Sequence, residues 1–205
     1  MNNVMEKLIS AFIRFPGIGP RQARRFVYHL LGQNPATVET LAKDLLALKQ
    51  QIGQCGDCYR FFVKNDQLNV SRCDLCLDDN RDSGTLMIVE KDTDLEVVKK
   101  SGHYSGQFFV LGGLVPILED APEKKVRITQ LINRLIAGQK ELREIIIALA
   151  ANPDGDNTFD YLQKVISPHL LAGTKISILG RGLSTGTELE YSDAETLKNA
   201  LKNRS

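Results

Sequence analysis

Residues 55–76 read CGDCYRFFVKNDQLNVSRCDLC, and all four cysteines of the chain lie in this stretch. They form two Cys-x-x-Cys pairs, Cys55 with Cys58 and Cys73 with Cys76, which are separated by fourteen residues. Each pair can turn its two sulfurs toward one side, and two such pairs supply the four thiolates of a tetrahedral zinc site. The spacing therefore predicts one structural Zn²⁺ per chain, with no open coordination position for catalysis.

Buried free cysteines and a redox-active Cys-x-x-Cys are the alternatives to zinc. Neither alternative predicts two matched pairs within 22 residues. Between the pairs, residues 61–63, a polar turn and then Leu68 and Val70 predict a short hairpin that brings the pairs together. We expect metal binding to supply much of the folding free energy of so small a segment.

The composition of the whole chain is that of an ordinary globular protein. Its 205 residues are 42% hydrophobic and 25% charged, and the formal net charge is +1. This length allows one domain or two small ones, and the charge gives no general indication of nucleic acid or membrane. The N-terminus lacks the apolar core of a signal peptide, and no stretch is apolar enough to span a membrane. The sequence predicts a bacterial-type cytoplasmic protein, in a reducing compartment that disfavours disulfides.

Upstream of the cysteines, the pattern predicts two helices joined by a glycine-containing turn. Apolar residues recur at helical spacing over residues 4–14, and residues 15–20, Phe-Pro-Gly-Ile-Gly-Pro, lead into a second helix that begins at Pro20. The predicted core face of the second helix consists of Ala23, Phe26, Val27, Leu30 and Leu31. A third helix is predicted at residues 37–52, with Leu41, Leu45 and Leu48 as packing residues.

The turn between the first two helices has the features of a phosphate-binding site. Gly17 and Gly19 leave the backbone N–H groups accessible, next to the free N-terminus of the second helix. Arg21 and Arg25 lie one turn apart on one face, with Arg24 beside them. Residues 1–53 contain seven Lys and Arg against three Asp and Glu, which leaves +4. The two glycines and three arginines of this turn therefore predict a helix-hairpin-helix that binds DNA independently of sequence. The alternative is an ordinary helix pair with a solvated basic face.

Downstream of the cysteines, short apolar strands alternate with helices. Strands are predicted at residues 85–90, 107–111, 144–150 and 175–179, and helices at 92–100, 126–137 and 158–171. Continuous apolar strands in this alternation indicate a parallel sheet that is covered on both faces.

Polar residues follow the first and third of these strands. Glu90 ends the first strand, and Asn152, Asp154 and Asp156 follow the third. Because function in such sheets lies beyond the carboxyl ends of the strands, these side chains are a candidate Mg²⁺ site. The alternative is helix capping, with Asp92 and Asp156 at N-cap positions. The spacing leaves both interpretations open.

The order of these segments resembles that of the RecR family of recombination proteins. The resemblance is carried by Phe15-Pro-Gly-Ile-Gly-Pro20, Val89-Glu90, Val110-Leu-Gly-Gly113, Asn152-Pro153, Arg181-Gly-Leu183, Leu189-Glu-Tyr-Ser-Asp193 and Thr196-Leu197. It covers essentially the whole chain and implies a multi-domain α+β fold. The implied domains are a helix-hairpin-helix module at 1–53, a C4 zinc finger at 54–80, an α/β Toprim domain with a parallel sheet at 81–172, and a C-terminal strand and helix segment at 173–205.

This resemblance implies a function in DNA repair and recombination without catalytic turnover. Members of the family assist RecO and RecF in placing the RecA recombinase on single-stranded gaps coated with single-strand-binding protein (SSB). They form dimers and ring-shaped tetramers that can encircle DNA, which implies a nucleoid-associated protein here. Arg21 and Arg25 match hairpin positions that touch DNA in the family. Glu90 and residues 152–156 match the Toprim acidic patch, which contacts RecO.

Two loops depart from the family pattern. The family usually has Asn-Pro-Thr-x-Glu-Gly-Glu-Ala-Thr after the third strand, whereas residues 152–158 read NPDGDNT, which is shorter and lacks both glutamates. The loop at 113–125 also looks shortened. Asp154, with Asn152 in the first position, is similar to the Asp-x-Asp of catalytic Toprim enzymes, so a Mg²⁺-dependent nuclease or topoisomerase-like enzyme is the alternative function. That alternative needs more acidic residues, and the glycine-rich residues 180–186 lack the lysine of a P-loop.

Overall fold

The computed structural model describes residues 3–64, 71–138, 141–180, 183, 186, 188–192 and 194–202. The chain divides into two compact units, Met1–Ile52 and Gly53–Ser205. Within the described ranges, no helix is both long enough and apolar enough to cross a membrane.

Three helices make up the first unit: α1 (Val4–Ile13), α2 (Pro20–Leu31) and α3 (Pro35–Gln51). The side chains of Asn3 and Asn34 cap α1 and α3 by accepting hydrogen bonds from backbone N–H groups. Proline occupies the first turn of both α2 and α3, where a missing N–H group costs little. The core of the unit consists of buried Ile9, Ala23 and Val27, with Met5, Phe12 and Ile18 packed against them.

The predicted packing of the first unit is partly wrong. Ala23 and Val27 are buried, but Phe26 is 42% exposed and Leu31 67% exposed. No residue of α3 is buried, and its three predicted packing leucines are exposed. An amphipathic pattern shows that a helix has an apolar face, but it does not show whether that face packs inside the unit or remains at its surface.

The second unit begins with the cysteine-containing segment and continues into an α/β sheet. Its elements are β1 (Ile52–Gln54), β2 (Phe61–Val63), α4 (Asp74–Leu77), β3 (Asp82–Val89), α5 (Asp92–Ser101), β4 (Gly106–Val110), α6 (Ile128–Gly138), β5 (Glu144–Ala148), α7 (Pro153–Ile166), β6 (Lys175–Ile178) and α8 (Ala194–Lys202). Short 3₁₀ turns occur at Pro122–Lys124, Ser167–His169 and Leu189–Tyr191. β2 pairs with β1, whereas the predicted second hairpin strand, with Leu68 and Val70, lies outside the described residues.

The main sheet has four parallel strands in the order β4-β3-β5-β6. Alternate residues of β3 enter two separate cores, as their opposite orientations in a strand require. Leu86 and Ile88 face one core together with the apolar sides of α6 and α7. Met87 and Val89 face the other core together with Leu95 of α5 and the four cysteines. The predicted parallel sheet with two covered faces is therefore confirmed.

The start of α7 differs from the prediction. The helix begins at Pro153 rather than at residue 158, and the N-cap is Asn152 rather than Asp156. The Oδ1 atom of Asn152 accepts a hydrogen bond from the N–H of Gly155 at 2.8 Å. Gly155 allows this early turn because a Cβ atom there would lie 1.9 Å from the carbonyl oxygen of Ala150.

The predicted cap of α5 is also wrong. Asp92 lies inside the first turn, and Lys91 precedes the helix as its N-cap residue. The Asp94 carboxylate accepts a hydrogen bond from the Lys91 N–H at 3.2 Å. A pair of aspartates two residues apart made the cap position ambiguous in the sequence, since both fit the positive end of a helix.

Candidate functional site

The four cysteine sulfurs form one compact cluster. All four Sγ atoms lie within 4.8 Å of one another, and those of Cys58 and Cys73 are 3.5 Å apart. A tetrahedral Zn²⁺ with Zn–S bonds of about 2.3 Å needs sulfurs about 3.8 Å apart, which this cluster satisfies with little movement. All four residues are buried, and each contributes a soft sulfur ligand. The cluster is therefore a closed metal-binding site.

Each cysteine pair is shaped by its own backbone hydrogen bonds. The N–H of Cys55 donates to the carbonyl of Arg60 at 2.9 Å, and the N–H of Tyr59 donates to the carbonyl of Cys55 at 3.1 Å. Tyr59 has a φ of 62°, a left-handed conformation that costs a non-glycine residue about 1 kcal/mol or more. The second pair opens α4, where Cys73 is the N-cap residue. Its N–H points at the Cys55 sulfur at 3.3 Å, which favours the thiolate.

The thiols influence one another strongly. A hydrogen bond from Cys58, followed by bonds from Cys73 and Cys76, lowers the pKa of Cys55 against the opposing effect of burial. The hydrogen bond between Cys58 and Cys55 has the opposite effect on Cys58 and raises its pKa. Four contacting sulfurs cannot all ionise without a compensating cation, so binding of a divalent metal releases protons from the cluster.

Two ion pairs link the segments that carry the two cysteine pairs. The Nη2 atom of Arg60 lies 2.7 Å from Oδ1 of Asp74, and the Arg60 side chain is 9% exposed. The second ion pair has the opposite polarity: the carboxylate of Asp57 binds Nε of Arg72 at 2.5 Å. Sequence reasoning missed these contacts, although charged residues of opposite sign inside and beside the two Cys-x-x-Cys pairs were the available signal.

The cluster is attached directly to the main sheet. The carbonyl of Cys58 accepts a hydrogen bond from the N–H of Val110, at the end of β4, at 2.8 Å. The N–H of Phe61 donates to the Asp92 carboxylate at 2.7 Å. Arg127 donates to the Val110 carbonyl at 2.8 Å and lies over the Tyr59 ring. The metal-binding cluster is thus part of one hydrophobic core of the second unit.

The turn before α2 exposes both backbone and positive charge. Gly17 has a φ of +76°, which favours glycine, and no atom lies within 4 Å of a Cβ built at Gly17 or Gly19. Gly19 is the N-cap of α2 and supplies no side-chain hydrogen bond, and the first turn contains no acidic residue. The N–H groups of Arg21 and Gln22, in the first turn of α2, therefore lack intrahelical acceptors, whereas the N–H of Ile18 donates to the carbonyl of Phe15 at 3.1 Å. The three predicted DNA-binding arginines, Arg21, Arg24 and Arg25, are all exposed on this helix.

The predicted acidic residues lie at the carboxyl ends of the strands without forming a cluster of three carboxylates. Glu90 is within 3.6 Å of the Lys91 ammonium, and Oδ1 of Asp154 accepts a hydrogen bond from the N–H of Ile117 at 3.3 Å. Asp156 is half-buried in the first turn of α7. In the described residues, the four cysteines are the one group of three or more Cys, His, Asp or Glu side chains close enough to share a metal.

The same edge of the sheet holds a loop that the sequence did not single out as a site. Oγ1 of Thr158 accepts a hydrogen bond from the N–H of Val115 at 2.8 Å and donates to the Asp154 carbonyl at 2.6 Å. Nδ2 of Asn157 donates to the Val115 carbonyl at 3.0 Å. The loop is therefore attached to the first turns of α7. The signal in the sequence was an apolar pair, Ile117-Leu118, followed at once by acidic residues.

Comparisons with known proteins agree with this architecture. Family models described as "RecR, helix-hairpin-helix", "Toprim domain" and "RecR, C-terminal" match residues 5–49, 84–180 and 182–205. The chain is 36% identical to "Recombination protein RecR" of Lactobacillus acidophilus, over 96% of this chain and 94% of the relative. It is 35% identical to the protein of the same name from a Synechococcus strain, over 96% and 98%, and 32% identical to that of Bacteroides thetaiotaomicron, over 98% and 93%. The chain therefore belongs to the RecR family of recombination proteins.

Proposed function

We propose that this chain is a DNA-binding recombination mediator that assists RecO and RecF in loading RecA onto gapped, SSB-coated single-stranded DNA. The observation that carries the proposal is the turn before α2, which combines an accessible backbone with three exposed arginines. Membership of the RecR family supports a role in recombination. The proposed protein is cytoplasmic and associated with the nucleoid, and it catalyses no reaction.

DNA contact in this proposal is made mainly with the phosphate backbone. The N–H groups of Gly17 and Gly19 bind one phosphate, and Arg21 and Arg25 bind its neighbours, with Arg24 at the edge. Such contacts carry no sequence information and suit both single- and double-stranded DNA. Only a few phosphates are neutralised by one hairpin, so one copy binds weakly at physiological salt.

Self-association makes up for this weak binding by combining several hairpins. We propose a dimer or a tetrameric ring, in which linked contacts raise the effective concentration of each hairpin near DNA. Exposed apolar side chains on the first unit support association of copies. They include Val4, Phe15, Phe26, Leu31, Leu45, Leu46 and Leu48.

The metal is proposed to be one structural Zn²⁺ per chain. Its ligands are Cys55, Cys58, Cys73 and Cys76, whose four thiolates leave no position for substrate. Bound zinc would supply folding free energy to the cysteine-containing segment. Glu90, Asn152, Asp154 and Asp156 are proposed to contact RecO rather than to hold a catalytic Mg²⁺.

The DNA site is tested with the Arg21→Ala/Arg25→Ala variant in fluorescence anisotropy with labelled single- and double-stranded oligonucleotides. We expect at least a tenfold loss of affinity at low salt and a shallower dependence of affinity on salt, because two phosphate contacts are lost. Lys43→Ala is the matched control, since Lys43 is exposed in the same unit and already pairs with Glu39 at 2.9 Å. Unchanged binding by the double variant would contradict the site.

The absence of catalysis is tested on the same purified protein. Incubation with Mg²⁺ and end-labelled or supercoiled DNA is expected to leave the DNA unchanged. Cleavage, joining or relaxation that disappears in Asp154→Asn would instead establish the enzyme alternative.

A further inference from the structure

The tip of the loop between β4 and α6 is strongly apolar and exposed. Leu118 is 93% exposed, the highest value for a large apolar side chain in the described part of the chain, and its neighbour Ile117 is 59% exposed. Single exposed apolar residues are common, but two adjacent ones at a loop tip form a small apolar surface that is exposed to water.

This tip is held in place by its base. Val115 is buried in the core, its N–H and carbonyl are bound by Thr158 and Asn157, and the N–H of Ile117 is bound by Asp154. The loop therefore presents its two apolar side chains from a backbone that is already ordered. An ordered loop loses little conformational entropy on binding, which is the property of an interface anchor.

The surroundings of the tip are acidic. Residues 113–125 and 153–156 contain five carboxylates against two lysines, which leaves a charge of −3. Lys125 lies 3.0 Å from Glu119, and this hydrogen bond lowers the pKa of Glu119, so that carboxylate stays ionised at neutral pH. Asp120 and Glu123 are exposed beside it. The tip is an apolar centre with a negative border.

We infer that Ile117 and Leu118 are the apolar anchor for a protein partner whose surface has an apolar pocket bordered by basic side chains. The border selects the partner by charge, since a symmetric contact of this surface with itself would bring like charges together. The inference rests on the proposed function in one respect: RecO is the partner used to test it. The inference adds an uncharged anchor, Ile117 and Leu118, to the proposed acidic contact with RecO. This anchor would contribute most of the affinity of the chain for its partner.

The test measures binding of purified RecO from the same genome to the full-length chain by biolayer interferometry at low and high salt. Leu118→Ser is expected to weaken binding at least tenfold, because the leucine that the partner would bury is replaced by a polar side chain. Leu118→Met should stay within about twofold because it keeps the apolar volume. Val97→Ser is the matched control, since Val97 is 70% exposed on α5. Asp120→Asn should have a smaller effect that disappears at high salt.

Three results would overturn the inference. If wild-type protein binds RecO and Leu118→Ser binds equally well, the anchor is wrong while the proposed function stands. If wild-type protein does not bind RecO, the proposed partner and the anchor are both wrong. If Leu118→Ser changes the oligomeric state in light scattering but leaves RecO binding intact, the tip is a contact between copies of this chain.

Discussion

The turn before α2, proposed to bind DNA, and the cysteine cluster are built in opposite ways. The turn lies in a three-helix unit with three buried residues in its core, and its important groups are exposed arginines and bare backbone. The cluster is buried against the main sheet and joined to it by hydrogen bonds and ion pairs. In the proposed function, DNA binding and folding stability therefore depend on separate residues. Substitutions in the turn should change binding alone, whereas substitutions around the cluster should change stability.

The largest effect on stability is expected from Cys73→Ser. This change removes one thiolate from a buried cluster of four, so the metal is lost and stability falls by more than about 4 kcal/mol. Zinc content by mass spectrometry and urea unfolding measure the two effects. Ser71→Ala is the control from the same segment. Full zinc content with normal stability would show that four thiolates are not required.

The opposite end of the comparison is the Arg21→Ala/Arg25→Ala variant. Its free energy of unfolding in urea should stay within about 0.5 kcal/mol of that of the wild type, because both side chains are exposed. A large loss of stability there would show that the hairpin is part of a core, and the contrast between the two regions would fail.

An intermediate effect is expected from Asp74→Asn. This change removes the carboxylate that binds the buried Arg60 guanidinium at 2.7 Å, leaving Glu96 at 3.7 Å as its remaining acidic neighbour. The Asp74 side chain is itself largely solvent-exposed, so we expect a loss of about 1–2 kcal/mol rather than the larger cost of breaking a fully buried pair. Urea unfolding of the zinc-loaded protein measures the loss. Asp79→Asn serves as the control, and equal stability of both variants would show that the metal alone joins the cysteine pairs.

A small, pH-dependent effect on stability is expected from Glu144 on β5. A hydrogen bond from Ser177, followed by attraction to Lys175, lowers the pKa of Glu144 in the folded protein. Its stabilising contribution is therefore present above the unfolded pKa and is lost as pH falls through the lower, folded pKa. Glu144→Gln should lose less than about 1 kcal/mol at pH 7, and the difference from wild type should shrink below about pH 4. A difference that stays constant down to pH 3 would contradict this assignment.

Local patterns predicted the strands and the metal cluster well. The apolar runs at 85–90 and 144–150 correspond to β3 and β5, because a strand buried on both faces needs apolar residues at every position. The cysteine spacing identified the four residues that come together, because Cys-x-x-Cys pairs bring their sulfurs together over short distances. Helix starts were less certain, since Asn152, Asp154 and Asp156 are all good residues near a helix N-terminus.

By itself, the sequence determined the parallel α/β architecture, the cysteine cluster and the basic turn, because each is indicated by a recognisable pattern of residue types along the chain. Only the tertiary structure decided which apolar faces of α2 and α3 stay exposed and which aspartates only border a helix start. It alone also showed that the cysteine cluster shares a core with β3 and β4, and that Leu118 stands exposed on a loop bound to α7. These features depend on which surfaces meet across long distances in the chain, and the periodicity of a single segment carries no information about its partner.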